Sequence, residues 1–291
     1  MSTSCTPGAL GDDLSLLEAC FPERIVDTGQ GIVSYRSCGS GPAIVLLHGI
    51  GSGAPSWMHC ALQLEREARV IAWNAPGYGR STPLDAAAPG AADYAARLEA
   101  FLAALGIEHC LLVGHSLGAL MGAAYVYRDG TRAQAFLMLS PAQGYGSAAR
   151  RRRGAEVLRE RLDTLERLGV EGMAEHRSAR LVSQAAGNAA RAWVRWNMLQ
   201  LNPAGYGQAV RLLCGSDIHD FLPPRVTTLV ACGEADNVTT PQDSARLAVE
   251  AGLPYHGIPG AGHACYVEQP EALSELIRST FQLTLQSNNH E

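Results

Sequence analysis

Four short apolar runs constrain the fold more than anything else in the chain: Ala43-Ile44-Val45-Leu46-Leu47, Val70-Ile71-Ala72-Trp73, Cys110-Leu111-Leu112-Val113 and residues 135–139. None alternates with polar residues, so each suits a strand covered on both faces. Stretches with helical period lie between them. In the clearest, 92–104, Tyr94, Leu98, Phe101, Leu102 and Leu105 recur every three or four residues, and Gly106 supplies a stop. Residues 117–127 read as the next helix. A shorter strand is expected at 32–36, and strand signals return at 228–232 and 255–258. A closing helix is expected at 270–281, with Pro270 in its first turn. This alternation predicts an α/β fold with a mostly parallel sheet and helices on both faces.

The character changes after Ser140-Pro141. Residues 148–213 are rich in arginine and glutamate and hold no buried strand, while Val157, Leu158, Leu162, Leu165 and Leu168 share one helical face. The expected organisation is an N-terminal extension (1–24), an α/β core (25–140 and 222–291) and a helical cap inserted at 141–221.

Composition narrows the function classes. The net charge of −5 argues against nucleic-acid binding, which needs a basic face. All 23 cationic residues are arginine, which reads as compositional bias. The eight cysteines are scattered and include no CxxC pair, so no disulfide framework and no zinc site is expected. No run of about 18 apolar residues occurs, which predicts no membrane span. Residues 1–20 carry no basic start and no long apolar stretch, so a cytoplasmic location is the expectation.

The sharpest chemical signal is Gly114-His115-Ser116-Leu117-Gly118. It is a G-x-S-x-G pattern lying directly after an expected strand and before an expected helix. The glycines allow a tight, strained turn that pushes the serine hydroxyl out of the sheet. A serine hydroxyl needs a base at neutral pH. In this topology an acid and then a histidine should follow, on loops at the carboxyl ends of strands. Asp236, in Gly233-Glu234-Ala235-Asp236, and His263, in Gly260-Ala261-Gly262-His263, meet that order. Glu234, Asp217 and Asp220 compete for the acid; they lie within the turn or before the strand. The backbone N–H groups of Ile50, in the loop after 43–47, and of Leu117 are the candidate oxyanion hole. His48 is read as structural, holding that loop.

These motifs, together with His48-Gly49 and Ala75-Pro76-Gly77-Tyr78-Gly79-Arg80-Ser81, resemble the α/β-hydrolase superfamily over residues 25–140 and 222–281. The resemblance implies a cofactor-free enzyme with a helical cap closing over a small-molecule substrate. Within the superfamily the chain looks most similar to small carboxylesterases and the 3-oxoadipate enol-lactonase group, on residues 168–174 and 261–270. The implied reaction is cleavage of a carboxylic ester or lactone through an acyl-enzyme. A second relative is the group of carbon–carbon hydrolases of aromatic ring-fission products. Those usually carry asparagine before the nucleophile and a Gly-Pro in the first loop; here His115 and Gly51-Ser52-Gly53 stand there. A cofactor-free lyase or oxygenase, or a small-molecule receptor, can also be built on the same scaffold.

Two cap features are candidates for the pocket. Trp193 and Trp196, three apart, could wall an apolar acyl site, and Arg195 could hold a substrate carboxylate. The competing reading is cap core plus surface charge. The block at 150–153 is read as the solvated start of a cap helix, offset by Glu156 and Glu160, rather than as an anion patch. Basic residues there oppose the helix dipole.

Overall fold

The computed structural model describes residues 6–128, 130 and 132–288, the side chains of 281–288 aside. In chain order the elements are α1 (Leu10–Cys20), β1 (Glu23–Asp27), β2 (Ile32–Cys38), β3 (Ala43–Leu47), α2 (Met58–Leu64), β4 (Arg69–Trp73), α3 (Ala91–Ala104), β5 (Cys110–His115), α4 (Leu117–Arg128) and β6 (Ala133–Leu139). They continue with α5 (Arg151–Arg177), α6 (Asn188–Leu199), α7 (Pro203–Gly215), β7 (Thr227–Gly233), α8 (Pro241–Ala251), β8 (Tyr255–Ile258), α9 (Cys265–Glu268) and α10 (Pro270–Asn288). The strands form one eight-stranded sheet in the order β1-β2-β4-β3-β5-β6-β7-β8. Pairing is antiparallel for β1–β2 and β2–β4 and parallel from β4 onward.

The uninterrupted apolar runs are central strands, as expected for a sheet covered twice. Along β3, Val45 and Leu47 join the core beneath α3 and α4, while Ile44 and Leu46 join the core beneath α2 and α10. Leu112 of β5 faces the first core, and Leu111 and Val113 the second. Each such aliphatic side chain, at 0–1% exposure, contributes about 1.5–3 kcal/mol of burial. Strand β1 lies outside the strands expected from the sequence. It reads Glu-Arg-Ile-Val-Asp and is mostly exposed, because it is an edge strand whose charges discourage further pairing. The expected extension at 1–24 also holds structure: α1 is a helix, and its Asp13 is buried against His59 at 3.3 Å.

Between β6 and β7 only helices occur among the described residues. Helix α5 breaks at Gly169, which takes φ 64° and ψ −172°. The apolar stripe expected along it fails at the break, where Leu168 is exposed. Helix α7 seats on the core through a backbone contact that leaves no room for a Cβ: one built on Gly205 would lie 2.0 Å from the Gly77 oxygen. No disulfide forms among the described cysteines, and none of the described helices is long and apolar enough to cross a membrane.

Three buried histidines give the fold an acid limit. His48 is fully buried, which lowers its pKa from the ordinary 6.5 to about 4. His115 is lowered by burial and then by the neighbouring His263. His59 is lowered by burial, against the opposing pull of Asp13. In this window the unfolded chain binds more protons than the folded one. Stability is therefore full above pH 6.5 and falls as the pH drops toward 4. His48 alone should cost about 2–3 kcal/mol by pH 4.5. Urea midpoints at pH 7.5 and 4.5 check this; equal midpoints would contradict it.

Candidate active site

The loops after β3, β5, β7 and β8 all leave the carboxyl end of the sheet. Strand β3 has β4 on one side and β5 on the other. The order in which successive strands are added thus reverses there, where open α/β sheets form a crevice.

Ser116 closes β5 and precedes α4 with φ 53°. A non-glycine residue in the left-handed region carries strain. The turn is held by Ser116 N–H donating to the Leu139 carbonyl at 2.9 Å, and by the Ser116 carbonyl accepting from Ala119 and Ala142. The flanking glycines are required by close approach. A Cβ on Gly114 would lie 2.5 Å from the Gly118 oxygen, and one on Gly118 would lie 2.4 Å from the Leu47 oxygen.

His263 donates Nδ1–H to Asp236 Oδ2 at 2.8 Å. Asp236 Oδ1 accepts from the backbone N–H groups of Val238 and Thr239 at 2.7 and 3.0 Å. Burial alone would raise the Asp236 pKa, but the His263 ring and these hydrogen bonds outweigh it and hold the carboxyl well below its ordinary range. It is thus a fixed anion behind the ring, held at Nδ1, and Nε2 is the ring nitrogen directed away from it. Ser116 and His263 line one cavity of about 380 Å³. Among the described residues no hydrogen bond joins Ser116 Oγ to the ring. Such contacts are often long before substrate binds.

Ile50 and Leu117 line the same cavity, and among the described residues neither backbone N–H donates to another protein group. The first loop is propped by its neighbours. His48 Nδ1–H donates to the Gly49 carbonyl at 2.8 Å, and its Nε2 accepts from Ala75 N–H at 3.0 Å. Tyr78 donates its hydroxyl to the Ile50 carbonyl. This explains why Ala75-Pro76-Gly77-Tyr78 accompanies His48-Gly49: the second turn braces the first. Among the described residues neither Glu234 nor Asp217 hydrogen-bonds to His263; Asp217 instead accepts from His219.

The cap candidates lie elsewhere. Trp193 is fully buried in the core under α2, edge-on to His59 and stacked on Trp196 at 5.1 Å. Arg195 is bonded to Glu175 at 3.1 Å in solvent. None of the three lines the cavity with Ser116. Helix α6 packs its indoles inward, and Met198 is the side chain it sends to the cavity. The block at 150–153 is divided. Arg152 and Arg153 pair with Glu156, as a solvated helix start would, yet Arg150 and Arg153 also line the cavity.

Three contributors carry no local sequence signal. Thr239 donates its hydroxyl toward Asp236 Oδ2 and the Ser140 carbonyl. His115 donates Nε2–H to the His263 carbonyl at 2.9 Å, tying the serine turn to the histidine loop. Glu268 accepts from Gly262 N–H and from Ser183 N–H, binding that loop to the cap. It lies within residues 261–270, where the family resemblance is carried, but only tertiary contacts give it a role.

A model of the alpha/beta hydrolase family matches residues 44–276. The Escherichia coli O103:H2 protein named "Putative carbamate hydrolase RutD" is 29% identical over 260 residues, covering 81% of this chain and 90% of that one. An uncharacterised Mycobacterium bovis protein is 38% identical over 95 residues, which is 33% of this chain and only 28% of that relative's length. Among solved structures, a thermophilic esterase from Thermogutta terrifontis superposes with TM-score 0.79 at 22% identity, covering 90% of this chain and 98% of that one. The enol-lactonase from Burkholderia xenovorans LB400 gives 0.78 at 21%, covering 90% and 100%. At these identities the likeness is one of fold.

Proposed function

The chain belongs to the alpha/beta hydrolase family, and from that premise we propose that it is a serine hydrolase of carboxylic esters or lactones, with Ser116 as nucleophile, His263 as general base and Asp236 as the anion that orients and stabilises the imidazolium. The observation that carries the reading is the left-handed Ser116 facing a cavity that also receives a histidine fixed from behind by a buried carboxylate. Ser116 Oγ attacks the substrate carbonyl while His263 Nε2 takes its proton. The N–H groups of Ile50 and Leu117 receive the oxyanion; one such donor is worth about 2.7–4 kcal/mol in the transition state. His263 then protonates the leaving group, and water releases the acid by the reverse path. The three side chains need no cofactor for these steps.

The relatives named for esters, lactones and carbamates set the panel, and a dienoate ring-fission product is added for the carbon–carbon alternative. Each class is incubated with the protein in ¹⁸O-water. The expected result is turnover of an ester or lactone, with one solvent oxygen in the product acid. Turnover without solvent oxygen would overturn the reading in favour of a non-hydrolytic enzyme. Turnover confined to carbamates or carbon–carbon substrates would overturn the ester assignment alone.

A further inference from the structure

Five arginines line the cavity that holds Ser116, at positions 150, 153, 161, 177 and 180, against two carboxylates, Glu160 and Asp243. In a chain whose cations are all arginine, residue type alone means little. What matters is which of them the protein leaves uncommitted. Arg150 is bonded to the Gln143 side chain at 2.9 Å, and Arg153 pairs with Glu156. Asp243 pairs with Arg246 outside the cavity, and Glu160 is exposed at the rim and forms no ion pair among the described residues. Among the described residues Arg161 has a single partner, the neutral hydroxyl of Tyr206 at 3.0 Å, and its Nε is buried with no acceptor. Arg177 is half-buried at the end of α5, and no hydrogen bond or ion pair to another described residue holds its guanidinium.

Arg180 is exposed to solvent, and only Arg153 of the five has a carboxylate within 4 Å among the described residues, so Arg161 and Arg177 are the half-buried arginines of the cavity that neither an amide side chain nor a carboxylate holds. Cations so placed are costly unless something else supplies the charge. Their proximity is felt: burial, and then the charges of Arg161 and Arg180, push Arg177 below the ordinary arginine range against the smaller opposing pull of Tyr206 and Glu160. Elsewhere the wall carries Val157, Met173, Met198 and Leu213. An apolar ligand body with one anionic end fits such a lining.

We propose that the substrate carries, besides the carbonyl presented to Ser116, a carboxylate that is held by the paired guanidinium groups of Arg161 and Arg177 on the cap side of the cavity. This rests on the hydrolase reading for the first half and on the uncommitted arginines for the second. The cap then selects by charge as well as shape. The bound carboxylate supplies the counter-ion that the two arginines lack. Planar guanidinium groups suit a carboxylate because they donate two parallel hydrogen bonds.

The test compares 4-nitrophenyl half-esters of glutaric, adipic and pimelic acid with 4-nitrophenyl esters of the unbranched monoacids of equal carbon count. Spontaneous hydrolysis is subtracted. The wild-type kcat/KM should favour the carboxylated member at least tenfold for one or more chain lengths. That ratio should fall at least tenfold in Arg177→Gln, fall to about one in Arg161→Gln/Arg177→Gln, and be partly kept in Arg177→Lys. Arg167→Gln, an exposed arginine on the same helix outside the cavity, should keep the wild-type ratio. Calorimetric binding of monoethyl adipate and ethyl hexanoate to Ser116→Ala reads the site without turnover, and the wild-type ratio needs no cap variant to fold. A wild-type ratio near or below one at every length, or a ratio unmoved in the double variant, overturns the proposal. If no ester is turned over but monoethyl adipate binds tighter than ethyl hexanoate, the hydrolase reading falls and the arginine site stands. If esters are turned over without discrimination, the reverse holds.

Discussion

Ser116→Ala should lower kcat for a small activated ester by on the order of 10⁶-fold, while leaving the fold intact. The loss is large because in the proposed mechanism the hydroxyl is the atom that bonds to carbon, and the oxyanion donors and the cavity alone would provide only residual catalysis. The fold is spared for a specific reason. The strained turn at φ 53° is held by backbone hydrogen bonds from residues 116, 119 and 142, and the side-chain oxygen takes part in none of them. Alanine has the same Cβ and leaves no partner unsatisfied. Circular dichroism and the urea midpoint should match the wild type. A fall of less than about tenfold in the folded variant would remove Ser116 from the chemistry.

Asp236→Asn should cost about 10⁴ in kcat with little change in KM. Oδ1 can still accept from Val238 and Thr239. The position of Oδ2, however, becomes an amide nitrogen carrying hydrogens, facing the Nδ1–H of His263. The ring must turn over to the other tautomer, with its proton on Nε2. In that form it cannot take the proton from Ser116. The hydroxyl of Thr239, 3.2 Å from the same Nδ1, is too weakly placed to restore the original tautomer. Steady-state kinetics across pH 6–9 check this, and a loss below tenfold would show that the carboxylate does not set the ring.

Where the chain repeats a pattern dictated by covalent geometry, sequence and structure agree closely. Strand β3 spans the apolar run 43–47 without a residue's difference, and α4 follows Ser116 as the glycine spacing requires. Residues 236 and 263 are legible from their order along the chain, because the sheet topology fixes which loops share a rim. The failures have physical causes too. Strand β1 is polar because it is an edge. Helix α8 has a legible start in Thr240-Pro241-Gln242-Asp243, whose Thr240 hydroxyl accepts from Asp243 N–H, and a stop at Gly252 in the left-handed region. It is only eleven residues long, and of its apolar residues Leu247 and Ala248 alone are buried. The cap reads poorly because its helices bury faces on both the core and the cavity. A tryptophan pair such as Trp193 and Trp196 therefore looks the same whether it meets protein or ligand. Arg161 and Arg177 give no local signal at all; their interest lies in partners they lack, which only tertiary structure shows.

In the proposed mechanism Ser116 becomes a nucleophile because the imidazole of His263 reaches it. The most direct measurement is peptide mapping after treatment with an organophosphonate ester, on the wild type and on His263→Ala. One adduct is expected, on the peptide containing Ser116, formed in the wild type and lost when the imidazole is removed. An adduct absent from the wild type, placed on another serine, or formed equally fast without His263 would contradict the claim.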